Sequence, residues 1–394
     1  MKVAVVRERR AHERRVAVSP DSVKRMAAMG LEIIAESGAG EAAGFSDATL
    51  SSAGAVLVPD DATALGDADI VLKVQRPITG ADGSLDELHL LKPGAVLIGL
   101  LQPLQNPDDI DLYARAGIIA FAMELVPRIT RAQTMDVLSS QANLAGYKAV
   151  IDAADEFNRA FPMMMTAAGT IKAARVLVMG AGVAGLQAIA TARRLGAIVS
   201  ATDVRAAAKE QVESLGAHFI TVDEEEARSA ETAGGYAREM GESYQRRQRE
   251  KITEALRRTD IVICTALIPG RAAPLLLTRA MVTEMAPGSV IVDLAVEAGG
   301  NVEGSRPGEV VVTENGVKII GHLNMPSRIA ADASQLYARN LLSFLSLIVD
   351  KNGKLAIDPN DEIIKATLLT RDGAIVNPSL LPDNALAAAP AADD

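Results

Sequence analysis

Tryptophan is absent from the 394 residues, aromatic side chains make up only 3%, and cysteine occurs once. With so few rings, the cores must be built from Ala, Val, Leu, Ile and Met. A single cysteine excludes an internal disulfide framework and fits a reducing compartment. Cys264 sits in the apolar run Ile261–Thr265 and reads as a small hydrophobe in a buried strand. No apolar run approaches the ~18 residues that a bilayer span needs. The nearest, Leu341 to Val349, is one side of a helix. Met1–Val6 runs straight into Arg7-Glu8-Arg9-Arg10, too short for the apolar core of a secretory leader. An excess of positive charge is missing too: the net charge is −10, which argues against nucleic acid as a partner. His12, His89, His218 and His322 are the only histidines and none lies in a catalytic or metal-ligand spacing, so no metal site is expected.

What is present is an alternation of short apolar runs with helical patterns. At a prior of ~150 residues per domain, the length suits two or three domains. In the first stretch the strands read as Val3–Val6, Glu32–Ala35, Ala55–Val58, Ile70–Val74, Ala95–Leu101 and Ile118–Ala122, with a helix over Asp21–Met29 behind Ser19-Pro20. Gln141 to Arg159 reads as one long helix into a second unit. That unit's strands are Arg175–Met179, Ile198–Thr202, His218–Val222, Ile261–Thr265, Ser289–Asp293 and Val317–Gly321. Ala330 to Val349 is a second long helix, crossing back to the first domain. The expected fold is α/β, with two Rossmann-like, doubly wound parallel-sheet domains joined by long helices. Residues 1–138 with 328–380 form the first domain, 139–327 the second, and 381–394 a low-complexity disordered tail.

The strongest motif is Gly180-Ala-Gly182-Val183-Ala-Gly185, which follows the strand-like Val176–Met179 and precedes the helical Leu186–Leu195. Each glycine has a different task. Gly180 makes the tight turn, Gly182 lets a pyrophosphate approach the backbone, and Gly185 packs helix on strand. The helix N-terminus then offers N–H groups to phosphate. About 20 residues on, an acidic residue should take the adenosine ribose, and Asp203 ends the second strand there. Its charge favours NAD(H) by repelling a 2′-phosphate. Arg205 pulls the other way, because an arginine nearby can host that phosphate.

Two further segments admit more than one reading. Arg128, Arg131, Gln133, Asp136, Ser139 and Ser140 follow the last strand of the first domain. They supply donors and acceptors for a carboxamide and ribose hydroxyls, or a helix cap in a solvated loop. Nearly forty residues separate Val222 from Ile261, too many for a plain connection, so this stretch is helix, mobile flap or surface excursion. Gly234-Gly235 beside Tyr236 suit a flap.

At these residues the sequence resembles the NAD(H)-binding component of proton-translocating nicotinamide nucleotide transhydrogenase. The likeness is carried by Ala122-Met-Glu-Leu-Val-Pro-Arg128, Ser139-Ser-Gln-Ala-Asn-Leu-Ala-Gly-Tyr147, Phe161-Pro-Met-Met-Met-Thr-Ala-Ala-Gly169, Ala201-Thr-Asp-Val-Arg205, Glu231-Thr-Ala-Gly-Gly-Tyr236, Ala266-Leu-Ile-Pro-Gly270 and Asp293-Leu-Ala-Val-Glu-Ala-Gly-Gly300. It runs from Lys2 to about Asn377. The resemblance implies that Arg128, Gln133 and Asp136 form a nicotinamide loop with Ser139 beside it, and that Tyr236 belongs to a loop closing over nucleotide. It also implies that Val204, Arg205, Gly235, Gln248 and Leu267 line the cofactor site.

The wider group includes alanine dehydrogenases, which carry a lysine and a histidine where this chain has Gln75 and Gln102. Losing a substrate-binding lysine and a proton-moving histidine fits a bare hydride transfer between NAD(H) and NADP(H). Arg15 remains, and reads as structural when alone. The resemblance further implies a homodimer, a partner subunit that holds NADP(H), and a membrane-spanning partner. This component would be cytoplasmic, peripheral on the inner face of the membrane, with no insertion of its own. The Ala/Pro tail without a membrane helix suggests the separate-subunit form.

Overall fold

The computed structural model describes residues 1–83, 85–205, 207–221, 242–268 and 270–381. They form two compact units, one of Met1–Gln141 with the stretch from Ser327 onward, the other of Ala142–Pro326. The first boundary falls inside the helix Val137–Glu156, the second in the turn before the helix Ala330–Ile348.

In the first unit β1 (Lys2–Val5), β2 (Glu32–Glu36), β3 (Val56–Val58), β4 (Ile70–Gln75), β5 (Val96–Leu100) and β6 (Ile119–Ala122) are parallel. They stand in the order β3-β2-β1-β4-β5-β6, the 3-2-1-4-5-6 order of a doubly wound sheet. Successive side chains leave opposite faces, and each face has its own core: Val3 and Val5 enter one cluster, Ala4 and Val6 the other. Burial on both faces is why these strands read as continuous apolar runs. The chain starts the helix Pro20–Ala28 where Ser19 and Ser22 cap each other reciprocally and Pro20 takes the first position.

The second unit repeats the plan. After a two-stranded hairpin of β7 (Met164–Thr166) and β8 (Gly169–Ile171) come β9 (Arg175–Met179), β10 (Ile198–Thr202), β11 (His218–Phe219), β12 (Ile261–Cys264), β13 (Val290–Asp293), β14 (Val310–Val312) and β15 (Lys318–Ile320). Their order is β11-β10-β9-β12-β13-β15-β14, again 3-2-1-4-5-6 with β14 added antiparallel at the edge. Val176 and Val178 face one core, Leu177 and Met179 the other. Cys264 is fully buried, and burial pushes its thiol pKa up, which makes it inert.

Several features differ from the expectation. β16 (Leu368–Arg371) and β17 (Ala374–Ile375) extend the first sheet antiparallel beyond β6. Such short strands carry too little periodicity to stand out. The long helix begins at Val137, four residues early, because Asp136 caps it, and it ends at Glu156. Part of the over-long connection is the helix Glu242–Leu256. The suggested flap with Gly235 and Tyr236, and the tail from residue 382, lie outside the described residues. Some of the few aromatics sit at the centre of the first unit. Phe121 meets Phe344 edge-on at 5.2 Å, and the Tyr337 hydroxyl donates to the Lys73 carbonyl at 2.8 Å.

Candidate functional site

The site is best followed from the switch point of the second sheet, between β9 and β12, where neighbouring connections leave in opposite directions and open a crevice. Gly180 leaves β9 at φ 101°, and a Cβ there would stand 2.6 Å from the Thr265 hydroxyl. A Cβ on Gly185 would meet the Gly180 carbonyl at 1.8 Å. Gly182 is different: a Cβ there would meet nothing within 4 Å. The fold therefore needs glycine at 180 and 185, whereas at 182 it leaves open space against bare backbone.

Gly182 also begins the helix Val183–Arg194 without any side-chain cap. Ser19, Ser46, Asp60, Thr278 and Asp361 each accept an N–H of the helix they start. Gly182, like Asn106, Ala207 and Ile329, offers its helix no side-chain cap, and at Gly182 the uncapped N–H groups stand at the end of the glycine turn. Uncapped N–H groups at a helix start carry partial positive charge, and bare backbone at Gly182 suits the close approach of an anion such as a phosphate.

Asp203 follows β10 and is more engaged than its sequence position suggests. Its Oδ2 accepts the Ala181 N–H of the glycine turn at 2.7 Å. Arg205 donates its backbone N–H and Nε to Oδ1, at 2.8 and 2.9 Å, and its Nη2 to Oδ2 at 2.9 Å. The guanidinium thus lies as a fork on the carboxylate. Val204 is half-buried between them. On the other side of the turn the Thr265 hydroxyl donates to the Gly180 carbonyl at 3.0 Å, and Leu267 lies 49% exposed two residues on. Gln248 is half-buried on the helix Glu242–Leu256.

Sequence reasoning passed over Gly146. Its Cβ would stand 2.0 Å from the Ala184 carbonyl, so the long helix lies directly on the first turn of the glycine helix. A glycine in a helix interior costs ~1 kcal/mol relative to alanine, and that cost was the available signal.

The 128–139 segment belongs to the first unit. Ala132 and Met135 point into its core, Arg131 pairs with Asp361 at 2.7 Å, and Asn340 donates to the Thr134 carbonyl at 2.8 Å. Arg128 and Gln133 are left on the exposed side. Asp136 caps the long helix, accepting the Ser139 N–H at 2.9 Å and the Ser139 hydroxyl at 2.6 Å. Both readings of this segment contain Asp136, and the cap is the one the geometry displays.

Arg15 is buried on Glu13 at 2.6 Å and on Gln141 at 2.8 Å, and Gln75 donates to the same Glu13 at 2.9 Å. These residues serve one another. Gln102 sits at φ 51° with its N–H on Glu124. The described residues hold no cluster of metal-binding side chains, and no helix among them is long and apolar enough to cross a membrane.

Comparison with known proteins bears on the fold and the family. The family model "Alanine dehydrogenase/PNT, N-terminal domain" matches residues 4–145, and its C-terminal counterpart matches 149–378. The chain belongs to the alanine dehydrogenase/PNT family. Within it, the chain is 60% identical to an NAD(P) transhydrogenase alpha subunit of Rhodospirillum rubrum, covering 96% of this chain and 99% of that one. A transhydrogenase crystal structure from Sinorhizobium meliloti superposes with a TM-score of 0.84 at 52% identity, over 95% of this chain and 100% of the other. An alanine dehydrogenase of Halomonas elongata is 30% identical, over 95% and 94% of the two chains. The chain therefore stands on the transhydrogenase alpha-subunit side of the family.

Proposed function

We propose that this chain is the NAD(H)-binding subunit of a proton-translocating transhydrogenase, and that hydride passes between its NAD(H) and NADP(H) held by a partner subunit. The observation that carries the reading is the glycine cradle, closed by its own glycines at 180 and 185 and open at 182. The bound nicotinamide supplies or accepts the hydride. The chain's residues do the holding. The N–H groups at the start of the helix Val183–Arg194 face the pyrophosphate, and Asp203 faces the adenosine ribose. Arg205 is drawn onto Asp203, which withholds its cation from a 2′-phosphate and so supports NAD(H) over NADP(H). Gln248 and Leu267 add to the binding surface, and Gly235 and Tyr236, which the resemblance assigns to it, lie outside the described residues.

Arg128, Gln133, Asp136 and Ser139 form the loop that orients the nicotinamide, with Asp136 fixing the loop by its cap. A hydride exchanged between two nicotinamides needs no protein acid or base, consistent with Gln75 and Gln102 in place of a lysine and a histidine. A homodimer is supported by the hairpin β7–β8, where Met163, Met165 and Ile171 are exposed and Met165 reaches 78%. A lone two-stranded hairpin is marginal in water, so a second copy is the natural cover. Proton movement and attachment to the cytoplasmic face of a membrane come through the partner subunits.

The test is NADH-driven reduction of NADP⁺ by the chain mixed with its NADP(H)-binding partner. Gln133→Asn should lower transfer by well over tenfold while NADH affinity falls only a few-fold, because misplacement by ~1 Å can cost ~100-fold in rate. A wild-type mixture that shows no transfer, or a robust alanine-dependent reduction of NAD⁺, overturns the reading.

A further inference from the structure

The cofactor crevice has two walls, and only one is explained by the glycine motif. On the NAD(H) reading, adenosine held by Asp203 would stand at the carboxyl end of β10 and the pyrophosphate at that of β9. The nicotinamide half would then extend towards β12, the next strand in the sheet. The carboxyl end of β12 is the ledge Thr265-Ala266-Leu267. A loop at this place would be free to shift unless something beneath it held it.

Asn301 lies beneath it, fully buried. Its Oδ1 accepts the Ala266 N–H at 3.1 Å, and its Nδ2 donates to the Ala266 carbonyl at 2.9 Å. The same Nδ2 donates to the Pro274 carbonyl at 2.8 Å. One carboxamide thus grips both sides of residue 266 and ties the far end of the loop to it. The backbone of Asn301 adds to the hold, its carbonyl accepting the N–H groups of Leu276 and Leu277 at 2.8 and 3.0 Å.

Asn301 is itself fixed from the sheet. Its N–H donates to both oxygens of Asp293, at 3.2 and 3.0 Å, and Asp293 is the last residue of β13. Gly300, at φ 84°, makes this possible: a Cβ there would stand 2.8 Å from Asp293 Oδ2. A rigid path therefore runs from β13 through Asp293 and Asn301 to Ala266. From there it branches to exposed Leu267 and to Thr265, which holds the Gly180 carbonyl.

We propose that Asn301 is a positioning residue for the nicotinamide half of the bound nucleotide, acting through the Ala266–Leu267 ledge. The inference rests on the NAD(H) reading above. Its distinguishing consequence is selectivity between the two halves of the cofactor. Asn301→Ala releases the ledge and leaves Asp203 and the glycine cradle in place. With the full-length chain, NADH affinity by nucleotide fluorescence should fall about tenfold, since lost positioning acts on the reacting end. Affinity for ADP-ribose, which lacks the nicotinamide, should stay within about twofold. Transfer to NADP⁺ in the mixture with the partner should fall further than NADH affinity does. Leu267→Ala alters the ledge at an exposed side chain, which spares folding, and should give the same split in weaker form. Equal losses for NADH and ADP-ribose, or no loss of either, overturn the proposal in whichever variant folds. A wild-type chain that fails to bind NADH refutes instead the underlying reading.

Discussion

The two units share one strand order and one local device, yet differ in the turn that follows the first strand. In each, an acidic residue at the end of the second strand accepts a backbone N–H from the turn after the first strand. Glu36 takes the Arg7 N–H at 2.8 Å, and Asp203 takes the Ala181 N–H at 2.7 Å. In each, a nearby arginine lies on that carboxylate: Arg9 on Glu36 at 2.6 Å, Arg205 on Asp203 at 2.9 Å. The acid is thus first a clasp for the turn. What separates the units is the turn itself. Val6 to Arg10 contains no glycine, and its charged side chains enter ion pairs beside a cavity that Arg7, Glu8, Arg15 and Gly38 line. Arg9 reaches Asp61 and Glu87 as well, and buried Lys73 joins Glu8 and Glu87. In the second unit the turn carries three glycines, and a Cβ on Gly182 would meet nothing within 4 Å. A doubly wound sheet provides the crevice, and on the proposed reading the glycine turn is what lets a pyrophosphate approach the backbone there.

The largest expected effect comes from breaking that network. Lys73→Met leaves the buried carboxylates of Glu8 and Glu87 without their central cation, and should destabilise the first unit by ~3–5 kcal/mol in urea unfolding. NADH affinity of the folded protein should stay within about twofold. A fall in affinity that outweighs the fall in stability would mean that the first unit's charges reach into nucleotide binding.

Gly182→Val is the complementary break. Gly182 has φ −75° and open space around its Cβ position, so the fold should lose no more than about 1 kcal/mol. NADH binding should fall ~100-fold or more, which corresponds to ~2.7 kcal/mol, because the side chain occupies the phosphate's place. Isothermal titration beside a thermal melt measures both. Binding that survives would show that the phosphates lie elsewhere.

A smaller effect sharpens the contrast through pH. In the first unit, burial raises the Glu124 carboxyl from its ordinary 4.5 to about 7. The folded state then binds this proton more tightly than the unfolded chain does. The associated stability is complete below pH 4.5 and is lost as pH rises through 7. Since the residue as a whole is only half-buried, the expected size is about 2 kcal/mol. Glu124→Gln should flatten this slope and raise the melting temperature at pH 8 relative to wild type. A slope unchanged by the substitution would assign the pH dependence to other groups.

Much of this is legible in the sequence, for identifiable reasons. β9 and β10 can be placed to the residue: β9 is the apolar run Val176–Met179 between Arg175 and Gly180, and β10, though it holds Ser200 and Thr202, is rich in β-branched residues and closed by Asp203. The glycine turn is legible because each glycine answers a separate steric demand. Asp203 is found by spacing, but its fork with Arg205 is hidden, since a sequence cannot tell a ligand-facing arginine from one folded back two residues. Gly146 and Asn301 escape because their partners, Ala184 and Ala266, are distant in sequence and carry no chemical signature. β16 and β17 escape because four and two residues leave no period to read.

The central claim is that the crevice of the second unit holds NAD(H) and refuses a 2′-phosphate through Asp203. Calorimetric titration of the full chain with NADH and with NADPH addresses it directly, repeated with Asp203→Ala. The account predicts strong preference for NADH in the wild type, narrowed in the variant mainly by weaker NADH binding. Equal affinities for the two nucleotides in the wild type would contradict it.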